Sequence, residues 1–123
     1  MKTENSITVD LVQGWRDQPE PGFQPARVEL RASGEALEVE ALLQDEDIHN
    51  PVTGFNEPAY LQGDVFEIFL RPVNQRAYLE LHVGPANQVF QLRIPSAERF
   101  AATRGTHEPW RAWLITQPCF ESR

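Results

Sequence analysis

Residues 64–94 read DVFEIFLRPVNQRAYLELHVGPANQVFQLRI, and this stretch decides the fold. It contains three segments, 64–71, 76–83 and 88–94, in which apolar and polar residues alternate. Turn-type residues separate them at 72–75 and 84–87. Such alternation over about four to eight residues is typical of β-strands that bury one face. The stretch therefore predicts a three-stranded antiparallel meander.

The residues before the meander show the same pattern. Segments 27–32 and 36–43 alternate on either side of Ser33-Gly34 and predict a hairpin, while residues 7–12 predict a short strand. The proline-rich run 18–25 suits neither a helix nor a central strand, so we expect an extended connector there.

The residues after the meander are less regular. Ser96 to Thr103 begins with a residue type that caps helices and predicts one helical turn. Trp110 to Gln117 alternates and predicts a last strand. Together with the segments upstream, this pattern predicts one all-β domain over residues 1–123.

Composition excludes several classes of protein. The chain of 123 residues has 11 Lys and Arg against 18 Asp and Glu, a net charge of −7, which disfavours nucleic acid as a partner. Its apolar runs are too short for the roughly 20 residues of a membrane-spanning helix, so we expect no membrane contact. The N-terminus shows no signal peptide, so we expect an extracellular or periplasmic location only if the chain is an excised domain. The single Cys119 cannot close an internal disulfide.

The two faces of the predicted meander differ in chemistry. With a period of two, nine residues form the expected core face: Phe66, Ile68, Leu70, Leu79, Leu81, Val83, Phe90, Leu92 and Ile94. The opposite face carries Val65, Glu67, Phe69, Arg71, Tyr78, Glu80, His82, Val89, Gln91 and Arg93. Hydrogen-bonding groups beside aromatic rings suit a sugar, which presents hydroxyls and apolar C–H faces. An ordinary solvated sheet face would look the same, and periodicity does not separate the two interpretations.

Three pieces of sequence carry a resemblance to a known family. They are EVEALLQDEDIHNP at 38–51, YLQGDVFEIFLRP at 60–72 and YLELHVGPAN at 78–87. In this order, over about residues 26–95, they resemble the family 9 carbohydrate-binding modules. The resemblance implies an antiparallel jelly-roll-like β-sandwich that binds sugars and accompanies glycan-degrading enzymes. Several further strands would normally follow, so we expect either a fragment or a reduced sandwich, incomplete at its C-terminus.

The resemblance also implies roles for particular residues. The glutamate of the Gly-Asp-x-x-Glu string, which hydrogen-bonds the sugar in the best-known members, is Glu67 here. The first of their two clamping tryptophans falls on Leu61, so we expect the adjacent Tyr60 to supply the stacking ring. A ligand-contacting arginine falls on Glu80, which changes the hydrogen-bonding chemistry.

The function we expect is non-catalytic carbohydrate binding, in polysaccharide or glycan breakdown. The expected ligand-binding residues are Tyr60, Glu67, Tyr78, Glu80, His82, Gln91, Arg93 and Trp110. One alternative is a glycoside hydrolase in which Glu67 and Glu80 lie directly opposite each other, with Cβ atoms about 5 Å apart. Another is a structural module that binds a protein partner through the polar face.

Two further expectations concern a cation and the tryptophans. Asp45 and Asp47 offer hard oxygen ligands and predict a structural calcium ion, although the loop lacks the spacing of an EF-hand; no other cofactor is expected. Trp15 and Trp113 are expected to pack in the core or at its edge, and Trp110 to form an exposed stacking platform.

An incomplete sandwich leaves strand edges and apolar surface to be covered. We therefore expect a homodimer, or a strand exchange in which a neighbour's Trp110 to Phe120 segment supplies the cover. A monomer is the competing expectation if residues 19–25 fold back over the open face.

Overall fold

The computed structural model describes residues 5–103 and 109–123. These residues form two three-stranded antiparallel sheets and little helix, which confirms the predicted all-β class. The strands are β1 (Asn5–Leu11), β2 (Ala26–Ser33), β3 (Ala36–Leu42), β4 (Phe66–Leu70), β5 (Tyr78–Val83) and β6 (Val89–Ile94), and the α-helix is α1 (Ala97–Ala102). Short 3₁₀ turns span Ala59–Leu61 and Pro109–Trp113.

The chain divides into two compact units, Met1–Asp47 and Ile48–Arg123. The first unit contains the sheet β1-β2-β3 and the second contains β4-β5-β6, so each sheet belongs to one unit. That both sheets belong to one jelly-roll-like domain stays a prediction.

The sheet of the first unit has an apolar face and a charged face. Val9 pairs with Val28, which pairs in turn with Ala41, so these side chains share the apolar face. Only Val28 on this sheet is buried, whereas Ile7 is 65% exposed. The predicted hairpin is confirmed, and Gly34 in its turn has a φ of +60°, a conformation that costs glycine little.

Ion pairs cross the charged face of the same sheet. Arg27 contacts Asp10 at 3.2 Å, and Arg31 contacts Glu29 at 2.8 Å and Glu38 at 3.6 Å. All five side chains are at least one third exposed, so each pair contributes about 1 kcal/mol or less.

The sheet of the second unit holds most of the buried residues. Phe90 and Ile94 are fully buried on β6, with Leu92 between them at 4% exposure. The half-buried side chains that pack against this cluster are Tyr78, Trp110, Trp113 and Leu114. The predicted meander is confirmed in strand order and direction.

The predicted face of β6 is wrong. Val83 pairs with Val89 and His82 with Phe90, so Phe90, Leu92 and Ile94 share a face with His82 and Glu80. The turn between β5 and β6 sets this register: the backbone N–H of Gly84 donates to Gln88 O over 2.8 Å, and Asn87 has a φ of +60°. A shift of one residue moves every side chain of a strand to the other face.

Gln91 and Arg93 consequently lie on the face opposite Glu67, which corrects their predicted place in the ligand site. Gln91 is fully buried, and its side chain joins β6 to the C-terminal segment. Its Nε2 donates to the carbonyls of Ile115 and Gln117, at 2.7 and 2.6 Å, and its Oε1 accepts from the backbone N–H of Cys119 at 3.1 Å. The side-chain amide of Gln91 therefore has a structural role.

The predicted last strand, Trp110 to Gln117, is also wrong. Pro109–Trp113 is a 3₁₀ turn, and only Leu114 makes a bridge, to Leu92. The turn places Trp110 against Phe90, with ring centroids 5.4 Å apart. This segment packs on β6 of its own chain, and the homodimer stays a prediction.

Three smaller expectations have mixed outcomes. Ser96 caps α1 as predicted, since its hydroxyl accepts from the backbone N–H of Arg99 at 3.1 Å. Trp113 packs against the core of β6 as predicted, but Trp15 is 79% exposed and that prediction is wrong.

In the described ranges, none of the helices has the length and apolar character required to cross a membrane.

Candidate binding site on the second sheet

The candidate site begins with the loop that leads into β4. The Asn50 side-chain amide donates to the carbonyls of Ala59 and Asp64, both at 3.0 Å, and so ties the 3₁₀ turn to the start of the strand. The backbone N–H of Asp64 donates to the His49 carbonyl, and the Asp64 carboxylate accepts from the backbone N–H of His49, each over 2.8 Å. This loop places Tyr60, at the middle of the 3₁₀ turn, against the sheet.

Gly63 has a steric role in the same loop. A Cβ atom at this position would collide with the His49 carbonyl oxygen and touch the Cα atom of Asn50. The two backbone segments meet too closely for any side chain at this position. The Gly-Asp pair, which belongs to the string that carries the family resemblance, therefore has a packing role in this loop.

Three ligating side chains converge on the face of β4 and β5. Glu67 is directly opposite His82, and Glu80 lies two residues before His82 on the same strand. Their ligating atoms all lie within 4.8 Å of one another. The His82 Nε2 atom is 2.8 Å from a Glu80 oxygen and 3.6 Å from a Glu67 oxygen, so both carboxylates face the same nitrogen.

Burial differs sharply within this cluster. The His82 side chain is only 2% exposed, whereas those of Glu80 and Glu67 are 15% and 35% exposed. The other ring nitrogen of His82, Nδ1, is buried without a hydrogen-bond partner among the described residues. Because only Nε2 has an acceptor, the proton of a neutral His82 belongs there, where it orients the Glu80 carboxylate.

Aromatic rings lie near both ends of this carboxylate pair. Tyr60 contacts His82 edge-on, with ring centroids 5.5 Å apart, and is 36% exposed. On the other side, Phe69 is opposite Glu80 and its centroid is 6.5 Å from that of Tyr78. Phe69 is 56% exposed, so its ring is accessible from solvent.

Burial and the nearby carboxylates raise the pKa values of both tyrosines. Burial raises the pKa of Tyr60, and the negative charges of Glu80 and Glu67 raise it further. Burial also raises the pKa of Tyr78, with a further contribution from Glu80. Both phenols therefore remain neutral hydrogen-bonding groups at neutral pH.

The structure brings together five of the eight predicted ligand residues, Tyr60, Glu67, Tyr78, Glu80 and His82, on or beside one sheet face. The exposed Phe69 was not among the expected ligand residues. The alternation of β4 does place its ring beside Glu67, so the signal was present in the sequence.

Trp110 differs from its predicted role as an exposed platform. It is half-buried and packs edge-on against Phe90, while the Arg111 guanidinium lies 5.6 Å from its ring centroid. Part of the Trp110 ring surface is therefore buried against the core.

The geometry assumed for a hydrolase differs from the structure. Glu67 is opposite His82 and Glu80 is opposite Phe69, so the two carboxylates are diagonal neighbours rather than a direct pair. The expectation that they lie directly opposite each other is wrong.

The predicted calcium ligands lie in an exposed turn. The Asp45 carboxylate accepts the backbone N–H of Asp47 at 3.1 Å, which is an ordinary aspartate turn. Within the described part of the chain, the one cluster of three potential metal ligands is Glu67, Glu80 and His82. The calcium ion at Asp45 and Asp47 stays a prediction.

A shallow hollow of about 340 Å³ lies elsewhere on the second unit. Its lining residues are Pro51, Val52, Thr53, Glu57, Pro58 and Gln62. None of the predicted ligand residues lines it.

Comparison with protein-family models, with curated proteins and with solved structures finds no match to this chain.

Proposed function

We propose that this protein binds carbohydrate without cleaving it, through the face of β4 and β5. The observation that carries the proposal is the combination of exposed aromatic rings with two carboxylates on one sheet face. Rings stack on the C–H faces of a sugar, and carboxylates accept hydrogen bonds from its hydroxyls.

Each group has a distinct part in this proposal. Glu67 is accessible enough to accept a sugar hydroxyl, and Glu80 is oriented by the Nε2–H of His82. Tyr60 and Phe69 supply accessible ring surface near the two ends of the carboxylate pair. A sheet face with these groups suits a glycan lying along the surface.

The family resemblance supports the same proposal. Its glutamate falls on Glu67, which lies on the ring-bearing face. Leu61, at the position of the family's tryptophan, is 62% exposed and offers no ring, whereas Tyr60 contacts His82 and Phe90. A jelly-roll-like sandwich and a role in glycan breakdown belong to this proposal.

The test is a glycan array followed by calorimetry on the glycans that bind. Glu67→Gln is expected to weaken binding by about 1.5–3 kcal/mol and to leave the melting temperature unchanged, because it removes a charge-assisted hydrogen bond from a partly exposed position. Glu40→Gln, which removes the same charge from the exposed strand β3, is the matched control and should bind as the parent does.

The array also separates the alternatives. Release of reducing sugar from a bound glycan, lost in Glu67→Gln, would replace the proposal with a hydrolase. Absence of binding to every glycan would favour the protein-interaction module. Equal affinity of the parent and Glu67→Gln would remove Glu67 from the site.

A further inference from the structure

The carboxylates of the candidate site lack a full positive counter-charge. Within residues 5–103 and 109–123, the ion pairs of Glu67 and Glu80 are both with His82. One imidazole therefore faces two carboxylates, one of which is only 15% exposed. Like charges this close repel each other, and partial burial strengthens the repulsion.

Protonation of His82 does not remove the problem. A neutral His82 donates one N–H and leaves two negative charges uncompensated. A protonated His82 compensates one charge but places a second N–H at Nδ1, which is buried without a partner. An unpartnered buried donor on a charged ring is costly. In both states at least one carboxylate charge is uncompensated, and an external cation at the two carboxylates would supply the missing positive charge.

A metal ion and an ammonium group make different demands on this cluster. Metal binding through Nε2 requires the His82 proton to move to Nδ1, and a metal-bound histidine normally donates that N–H to an acceptor. An ammonium group needs only the oxygens of Glu67 and Glu80, and leaves the bond from His82 to Glu80 intact. The unpartnered Nδ1 therefore favours an ammonium group.

The surrounding rings suit the same occupant. The accessible rings of Tyr60 and Phe69 lie near the carboxylates, and the faces of aromatic rings attract cations. Ammonium groups carry three donors, enough to serve both carboxylates at once. The cluster thus matches a primary ammonium in both charge and hydrogen-bond count.

We infer that the ligand is an amino sugar whose protonated amine lies between Glu67 and Glu80, as in an oligomer of glucosamine. This inference rests on the proposed carbohydrate binding and names its substrate class. The sugar ring would stack on Tyr60 or Phe69 while the amine is held by the carboxylates.

The test compares three oligosaccharides of equal length by calorimetry, at a pH at which the amine is protonated. They are a glucosamine oligomer, its N-acetylated form and a cello-oligosaccharide. The glucosamine oligomer is expected to bind about tenfold or more tightly than the other two, because only it offers a charged donor. Glu67→Gln and Glu80→Gln should each reduce that preference, and Glu40→Gln should preserve it.

The remaining outcomes separate this inference from the proposed function. Equal affinity for all three oligomers would overturn the amino-sugar assignment and leave carbohydrate binding in place. Failure of every oligomer and of the glycan array would overturn both. A lysine-containing peptide that binds more tightly than the glucosamine oligomer, with the loss again in Glu67→Gln, would move the ammonium to a protein partner. Zinc binding that depends on Glu67, without a preference for the amine, would make the cluster a metal site.

Discussion

The two sheets of this protein are built from the same kind of sequence but bury very different amounts of it. Both are three-stranded meanders with alternating strands. On the sheet β1-β2-β3 only Val28 is buried, and Ile7 and Leu37 are 65% and 49% exposed. On β4-β5-β6, Phe90 and Ile94 are completely buried.

The difference comes from segments outside the strands. In the second unit, Trp110 of the turn Pro109–Trp113 packs on Phe90 and Trp113 packs against the same core cluster. Residues 115–119 bind the other side of β6 through Gln91. An alternating strand supplies a face that can be buried, but irregular chain with well-placed rings and amides decides whether it is buried. His82 is buried on the second sheet in the same way, with the rings of Tyr60 and Phe90 against it.

The largest effect that tests this comparison is the loss of a buried ring. Phe90→Ala is expected to cost about 3–5 kcal/mol of unfolding free energy, because it removes a fully buried side chain from the core. Ile7→Ala, on the exposed strand of the other sheet, should cost less than about 1 kcal/mol. Urea unfolding of both variants measures the contrast, and equal losses would mean that the first sheet is covered in solution.

A smaller effect is expected from the buried amide. Gln91→Leu keeps most of the side-chain volume but leaves the Gln117 carbonyl without this donor and the Cys119 N–H without its acceptor, at a cost of about 1–3 kcal/mol. Arg93→Gln, at an exposed position on the same strand, should change stability by about 0.5 kcal/mol at most. Hydrogen exchange at the Cys119 amide gives a local readout, because its N–H donates to Gln91 Oε1. Unchanged protection in Gln91→Leu would contradict the role assigned to Gln91.

The hairpin turns of the two sheets provide a further test of the comparison between them. Gly34 and Asn87 both have a φ of +60°, one in each sheet. Among the described residues other than its two chain neighbours, no atom lies within 4 Å of a Cβ added at Gly34, so Gly34→Ala should cost about 1 kcal/mol through backbone conformation alone. Gly34→Asn should cost less, since asparagine tolerates this region. Thermal unfolding of the two variants measures the difference, and an equal loss would point to a steric cause instead.

The smallest expected effect is a dependence of stability on alkaline pH. Both tyrosines of the chain, Tyr60 and Tyr78, lie in the second unit, and their pKa values are raised above 10.0. The folded state holds these protons more strongly than the unfolded state, so their contribution is complete below pH 10.0 and is lost as the pH rises through the folded pKa values. Urea unfolding from about pH 8 to about pH 11 should show a fall in stability that is smaller in Tyr60→Phe with Tyr78→Phe. An identical slope in that double variant would contradict this attribution.

The sequence was enough to predict the class, the six strands, the hairpin at Gly34 and the capped helix at Ser96, because each depends on local pattern. The face of β6 could not be obtained in this way. Phe90, Gln91 and Leu92 are all buried, so no polar face exists to set the phase, and the register depends on how the turn at Asn87 closes.

The same distinction applies to the candidate site. Glu67, Glu80 and His82 were placed together because β4 and β5 pair with apolar residues matching apolar residues on one face. The burial of His82 and the exposure of Trp15 were missed, since both depend on which irregular segments cover a given ring.

Gly63 has a consequence for how relatives of this chain would be recognised. Its place is fixed by the passing backbone at His49, and that constraint is the same whether or not the nearby face binds anything. A family signature built around the Gly-Asp pair would therefore gather proteins that share a loop crossing. Under the proposed function, ligand choice would vary with the residues at 60, 67, 69 and 80. Sorting such proteins by ligand would require a signature drawn from those four positions instead.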